Sequence, residues 1–198
     1  MLIEHGGKRP TVDETAYVSP AAVLCGDVSV GAGSRILHGA VLTAEDGPVR
    51  IGENVVVMEN ALVRGRASHP ATVGDNVLIG PHAHVNGSTV ASGCFIATGA
   101  SLFPGSTIGA DAEVRINGVV QVNTRLPAGS VVPISWVAVG DPAQLFSPDR
   151  HDEIWAVQRA LGFAATVYGV GADATMAEIM RGQSRFYGSH RDDTVIED

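Results

Sequence analysis

The sequence predicts an all-β solenoid of six-residue repeats, followed by C-terminal α-helices. Three observations carry that prediction. Aliphatic residues recur every six positions. A second register, four residues later, holds only small side chains. The composition is poor in aromatics (5%) and holds 24 glycines, a mix that suits short strands and tight turns better than packed helices.

The aliphatic register runs Val12, Val18, Leu24, Val30, Ile36 and Leu42, resumes at Ile51, Val57 and Val63, and again at Val73, Ile79 and Val85. One repeat is then a residue short, and the register continues through Val90, Ile96, Leu102, Ile108, Val114, Val120 and Leu126. Four residues after these fall Ala16, Ala22, Val28, Ser34, Ala40, Val55, Ala61, Val77, Ala83 and Thr89, and then Cys94, Ala100, Ser106, Ala112, Gly118, Thr124 and Ser130. The physical solution is one short strand and one turn per unit, with three units closing a triangular coil. Coils then stack at about 4.8 Å with aliphatics along the axis. Two polar stretches, "TAEDGPVR" (43–50) and "RGRASHPAT" (64–72), break the period and predict loops, the usual carriers of function on a rigid scaffold.

The boundary of the solenoid domain falls at 1–146, with a helical segment and tail over 147–198. Ser147-Pro148 predicts an N-cap and first turn, and Ile154, Val157 and Leu161 share one helical face. Thr175-x-x-Glu178 predicts a capping box for a second helix. The end, "SHRDDTVIED", predicts a frayed terminus.

A formal charge of −8 argues against nucleic acid as a partner. No apolar run of about 18 residues predicts a membrane span, and "MLIEHGGKRP" lacks the apolar core of a signal peptide. Cys25 and Cys94 form neither a disulfide framework nor zinc spacing. A cytoplasmic location follows as the expectation.

With "VSPAAVLCGDVSVG" (18–31), the coils of 43–72, "VLIGPHAHVNGSTV" (77–90) and "VAVGDPAQLF" (137–146) in view, the chain resembles the γ-class carbonic anhydrase family of hexapeptide-repeat proteins over roughly residues 9–165. The resemblance implies a left-handed parallel β-helix, a homotrimer, and a C-terminal helix along the prism. It also implies a zinc site shared between subunits. Carried over position by position, the family's three zinc histidines fall on Arg64, Pro81 and Asn86. The Arg-x-Asp pair of the first loop falls on Thr43 and Glu45, and its polar Asn and Gln fall on Val56 and Met58. An arginine stays protonated and a proline has no side-chain donor, so the usual zinc triad is expected to be absent.

Three classes of function remain. In the leading one, a small anionic or acyl substrate binds between subunits without a cofactor. His82, Glu59 and His38 then do acid–base work, while Arg64, Asn86, Asn60 and Asn117 bind substrate. In the second, zinc or another divalent metal sits at a relocated site drawn from His82, His84 and His69, as in a carbonic anhydrase-like lyase. In the third, the trimer is a non-catalytic scaffold or an acyltransferase-like relative. Because Ala83 takes an inward position, strand alternation turns His82 and His84 outward.

Overall fold

A computed structural model describes residues 1–196. The chain winds into a parallel β-solenoid of about eight turns that carries short helices at its C-terminal end. Its three faces are set by backbone register. On the first, Leu24, Leu42, Val63, Val85, Leu102 and Val120 pair in succession. On the second, Val12, Val30, Ile51, Val73, Val90, Ile108 and Leu126 do so. On the third, Val18, Ile36, Val57, Ile79, Ile96, Val114 and Val132 complete the triangle.

From Leu24 onward these side chains are all buried and form one continuous core. Strand alternation explains it: the residue at each rung centre points inward and its two neighbours point out. The small register lies inward at the corners, where Ala22, Ala40, Ala61, Ala83, Ala100 and Ala112 are all buried.

Three expectations about the solenoid are corrected. Thr89 is exposed, because the five-residue step after Val85 moves the inward corner to Ser88, whose hydroxyl lies 2.8 Å from that of Ser106. Residues 43–50 are not a loop but part of an eleven-residue strand, Val41–Ile51, which runs around a corner beside Val23–Val30. Only Glu45–Pro48 bulge outward, opposite the register shift between Gly26 and Val28. The second break shrinks to a tight turn, Arg66–His69, between strands Leu62–Gly65 and Ala71–Val73. The two bulging turns touch through backbone: a Cβ at Gly65 would lie 2.3 Å from the Pro48 carbonyl oxygen and 2.5 Å from that of Gly47.

Past the solenoid, Ser147-Pro148 forms a turn rather than a cap, and α1 (His151–Gln158) starts after Arg150, which has no side-chain cap. Ile154, Val157 and Leu161 pack on Val137, Val139 and Phe146, on the face their spacing assigned. A short helix α2 (Phe163–Tyr168) leads to α3 (Met176–Tyr187), which opens with the Thr175–Glu178 capping box. The tail is not frayed through residue 196. Gly188–Asp192 make a 3₁₀ turn, and Thr194–Ile196 pair antiparallel with Leu2–Glu4.

Candidate functional site

Strand Leu62–Gly65 lies between Val41–Ile51 and His84–Asn86, which pairs Arg64 with Thr43 on one side and Asn86 on the other. Each follows an inward aliphatic, so each points out of the prism, and Cys25 extends the same column through its pairing with Thr43. Thr43 and Asn86 are nevertheless only 6% and 9% exposed. Arg64 Nε sits 3.8 Å from Glu45 Oε1, and the guanidinium carbon lies 5.8 Å from the Tyr187 ring centroid. Arg64 Nε, Asn86 Oδ1 and His84 Nε2 are buried and have no hydrogen-bond partner among the described residues. His84, level with Leu62 and Ser101, meets Phe103 edge-on. Burial, and then the nearby Arg64 charge, hold its imidazole pKa below the ordinary value.

The cover over this column comes from the C-terminal end. Phe186 stacks under the Arg66 guanidinium at 4.0 Å. The following 3₁₀ turn places His190 between two carboxylates: Nε2 is 2.8 Å from Glu45 Oε2 and Nδ1 is 2.8 Å from Asp193 Oδ2. Glu45 also accepts from the Thr43 hydroxyl at 3.0 Å, and its side chain is only 3% exposed. Partial burial opposes a charge on His190, but the hydrogen bonds to Asp193 and Glu45 outweigh it and raise its pKa. Asp193 also meets His5 Nδ1 at 2.6 Å, and the rings of His5 and His190 stack 4.4 Å apart. Cys25 closes the group with its Sγ 3.7 Å from Asp193 Oδ2. Burial pushes its thiol pKa up to about 11, with Asp193 and Glu45 adding to the rise. A cavity of about 230 Å³ opens beside this group, lined by His5, Lys8, Asp27, Glu45 and Pro48.

The other sequence-predicted residues lie elsewhere. Gly39, Asn60, His82, Gly99 and Asn117 form one corner column, and all five hold left-handed backbone with φ between 56° and 73°. Asn and His tolerate that region better than most residues. The Asn60 and Asn117 side chains lean over Gly39 and Gly99 of the preceding coil, where a Cβ would come within 2.2 and 2.3 Å of their Oδ1 atoms. Asn60, His82 and Asn117 are exposed, and their left-handed backbone suits the turns they occupy. His38, also exposed, has Nδ1 2.6 Å from Ser19 Oγ; Glu59 accepts the His82 backbone N–H through its own carbonyl at 3.0 Å. No hydrogen bond or ion pair among the described residues joins Glu59, His82 or His38 to Arg64 or Asn86. His69 packs over Gly87 and Gly105, and burial lowers its pKa.

Within one chain, His82, His84 and His69 do not gather. Among the described residues, the group of potential metal donors whose ligand atoms all lie within 4.8 Å of one another is His5, Cys25, His190 and Asp193. Three of these four went unsingled in the sequence. The signal that could have found the tail was the β-branched run "TVI" directly after His190-x-x-Asp193, a strand pattern that a frayed end would not need.

No family model matches the sequence. The chain is 36% identical over 177 residues to gamma carbonic anhydrase 1, mitochondrial, of Arabidopsis thaliana, covering 86% of this chain and 61% of the relative. It is 33% identical to gamma carbonic anhydrase 2, mitochondrial, of the same plant, over 74% of this chain and 53% of the relative. Over most of its length the chain is similar to γ-carbonic anhydrases. It spans between half and two thirds of these relatives' own length. The solenoid also superposes on a UDP-N-acetylglucosamine acyltransferase from Bacteroides fragilis with a TM-score of 0.52 at 17% identity, covering 87% of this chain and 78% of the other, a likeness of fold alone. Among the described residues no helix is long and apolar enough to cross a membrane.

Proposed function

We propose that this γ-carbonic anhydrase-like chain works without the family's three-histidine zinc centre and takes a small anion, of carboxylate or bicarbonate size, on the Thr43–Arg64–Asn86 rung. The observation that carries this reading is the pair of unpartnered buried atoms on adjacent coils, Arg64 Nε and Asn86 Oδ1. A buried polar group without a partner costs about 1–3 kcal/mol. A carboxylate oxygen that accepts from Arg64 Nε recovers part of that cost, and a ligand that also carries a hydroxyl, as bicarbonate does, satisfies Asn86 Oδ1 as well. The donor chemistry supports the loss of zinc: the corresponding positions Arg64, Pro81 and Asn86 offer no imidazole, thiolate or carboxylate.

The site is completed in a homotrimer. The third face supports this, because it leaves Phe95, Ile116 and Ile134 exposed at 41%, 46% and 60% around an apolar groove that also holds Met58, Leu78 and Pro81. In the trimer, the edge bearing Glu59 and His82 lines the neighbour's Arg64 rung and supplies acid–base chemistry there. A reducing compartment, the cytoplasm or its equivalent, fits two buried cysteines that stay unpaired.

The test is a thermal-shift and calorimetric screen of metal-free protein against bicarbonate, acetate and small acyl acids, with Arg64→Ala beside it. One of these anions should raise the melting temperature of the native protein. Arg64→Ala should weaken its binding by about tenfold to a hundredfold, the worth of a charged hydrogen bond. Equal shifts in both proteins, or none in either, would refute the site.

A further inference from the structure

We propose that His5, Cys25, His190 and Asp193 form a structural zinc site that locks the C-terminal tail onto the first coil. The site adjoins the anion rung through Glu45 and Thr43 but uses none of the positions that fall on the family's zinc histidines.

Three stretches of chain deliver these four donors to one place. His5 follows the first strand, Leu2–Glu4; Cys25 lies in Val23–Val30; His190 sits in the last 3₁₀ turn; and Asp193 caps that turn. The four ligand atoms lie within 4.8 Å of one another. Tetrahedral zinc, with bonds of about 2.0–2.3 Å, needs ligand atoms roughly 3.3–3.8 Å apart. The Cys25 Sγ to Asp193 Oδ2 separation, 3.7 Å, already falls there. The two histidine nitrogens approach Asp193 at 2.6 and 2.8 Å, as hydrogen-bond partners do. Side-chain shifts of about an ångström would open the centre for an ion.

The set contains two imidazoles, one thiol and one carboxylate. That mixture suits zinc better than the all-oxygen sites of magnesium or calcium. A closed set of four protein donors, with no position left for water, is the pattern of a structural rather than a catalytic ion.

The surroundings also fit. A metal-bound histidine almost always gives its other ring N–H to a carboxylate, a backbone carbonyl or water. His190 does this already: Nε2 is 2.8 Å from Glu45 Oε2, which leaves Nδ1 facing Asp193. Glu45 is itself fixed by the Thr43 hydroxyl at 3.0 Å. The outer partners of the site are therefore built and ordered by the solenoid, not by the tail. When zinc binds, the Cys25 sulfur bonds to the ion and its proton leaves to solvent.

The experiment loads full-length protein, purified without chelator, with zinc. Metal per chain is then measured by elemental analysis, and cobalt(II) serves as a spectroscopic probe. The native chain should hold one equivalent of zinc after desalting. Its cobalt form should show the intense near-ultraviolet band of a thiolate–cobalt bond. Cys25→Ser should lose that band, and His190→Ala should weaken zinc binding by tenfold or more. His151→Ala, on the exposed first turn of α1, should behave as native. If Cys25→Ser does not fold, Asp193→Asn, placed in the tail, should still weaken zinc binding by tenfold or more. Failure to take up one equivalent of metal, a cobalt spectrum without the thiolate band, or uptake unchanged in these variants would each overturn the site. The anion screen uses metal-free protein, so its result stands apart from this one.

Discussion

Gly65→Ala tests the contact that holds the two bulging turns together. The added methyl carbon would sit 2.3 Å from the Pro48 carbonyl oxygen and 2.5 Å from that of Gly47. Ordinary carbon–oxygen contact needs a little over 3 Å, so one turn must move by about 1 Å. Forcing a methyl into a packed site costs about 1–3 kcal/mol. Restricting the unfolded chain returns about 0.4–1 kcal/mol of that. At the middle of both ranges the net loss is about 1.3 kcal/mol, and at about 2–4 °C per kcal/mol for a chain of this size the melting point should fall by about 3–5 °C. Because Gly65 directly follows Arg64, the same movement should weaken anion binding at the rung. The control is Gly171→Ala, which meets nothing within 4 Å and has an ordinary φ. Scanning calorimetry of the three proteins decides the matter. If Gly65→Ala melts at or above the native protein, as Gly171→Ala should, the packed contact between the turns is not there.

At the corner column, His82→Asn should leave stability nearly unchanged, whereas His82→Val should cost about 1–2 kcal/mol in chemical denaturation, the penalty for left-handed backbone. A drop in turnover with His82→Asn, without any loss of stability, would give His82 a role in the chemistry as well as the turn. Ile79→Ala removes a fully buried rung centre between Val57 and Ile96 and should cost about 2–5 kcal/mol, against about 0.5–1.5 for Ile79→Val. His69 and His84 have folded-state pKa values below the ordinary 6.5. Their contribution is full above that value and is lost as pH falls through the depressed ones. His190, raised, acts in the opposite sense. Comparison with a His69→Gln/His84→Gln double variant therefore isolates the first pair. Between about pH 7.5 and 5.5 the double variant should lose less melting temperature than the native protein; parallel losses would show that these imidazoles are not the acid-sensitive groups.

The solenoid was legible because its determinants are local and repeated. Each rung centre, such as Ile36 or Leu102, must be aliphatic for the same reason, and a period of six survives any single exception. The short step after Val85 was visible too, but not its consequence. Only the backbone path shows that Ser88, and not Thr89, turns inward. The strand through 43–50 was hidden by its composition: Glu45, Asp46, Gly47 and Pro48 read as a loop, although Val49 and Ile51 resume the inward rhythm. The neighbourhood of Arg64 and Asn86 follows from counting coils, since each comes directly after an aliphatic of the same face; that Thr43 joins them does not. The group of His5, Cys25, His190 and Asp193 could not follow from it, because its members lie 188 positions apart at the extreme and meet only through docking of the tail. Spacing within a repeat carries no information about a segment that leaves the repeat and returns.

That return has a further consequence at the ends of the prism. A stack of parallel coils presents an open row of backbone donors and acceptors at each end, and another copy of the same coil is the natural template match. Along the first face, both ends are blunted in the same way. Leu2–Glu4 is covered by Thr194–Ile196, and Val137–Val139 is covered by Gln144–Phe146, each pair antiparallel. A strand running the opposite way cannot serve as the next parallel coil. The chain thus limits its own length, and a variant that releases the tail would expose a sticky end, with end-to-end fibres as its characteristic failure.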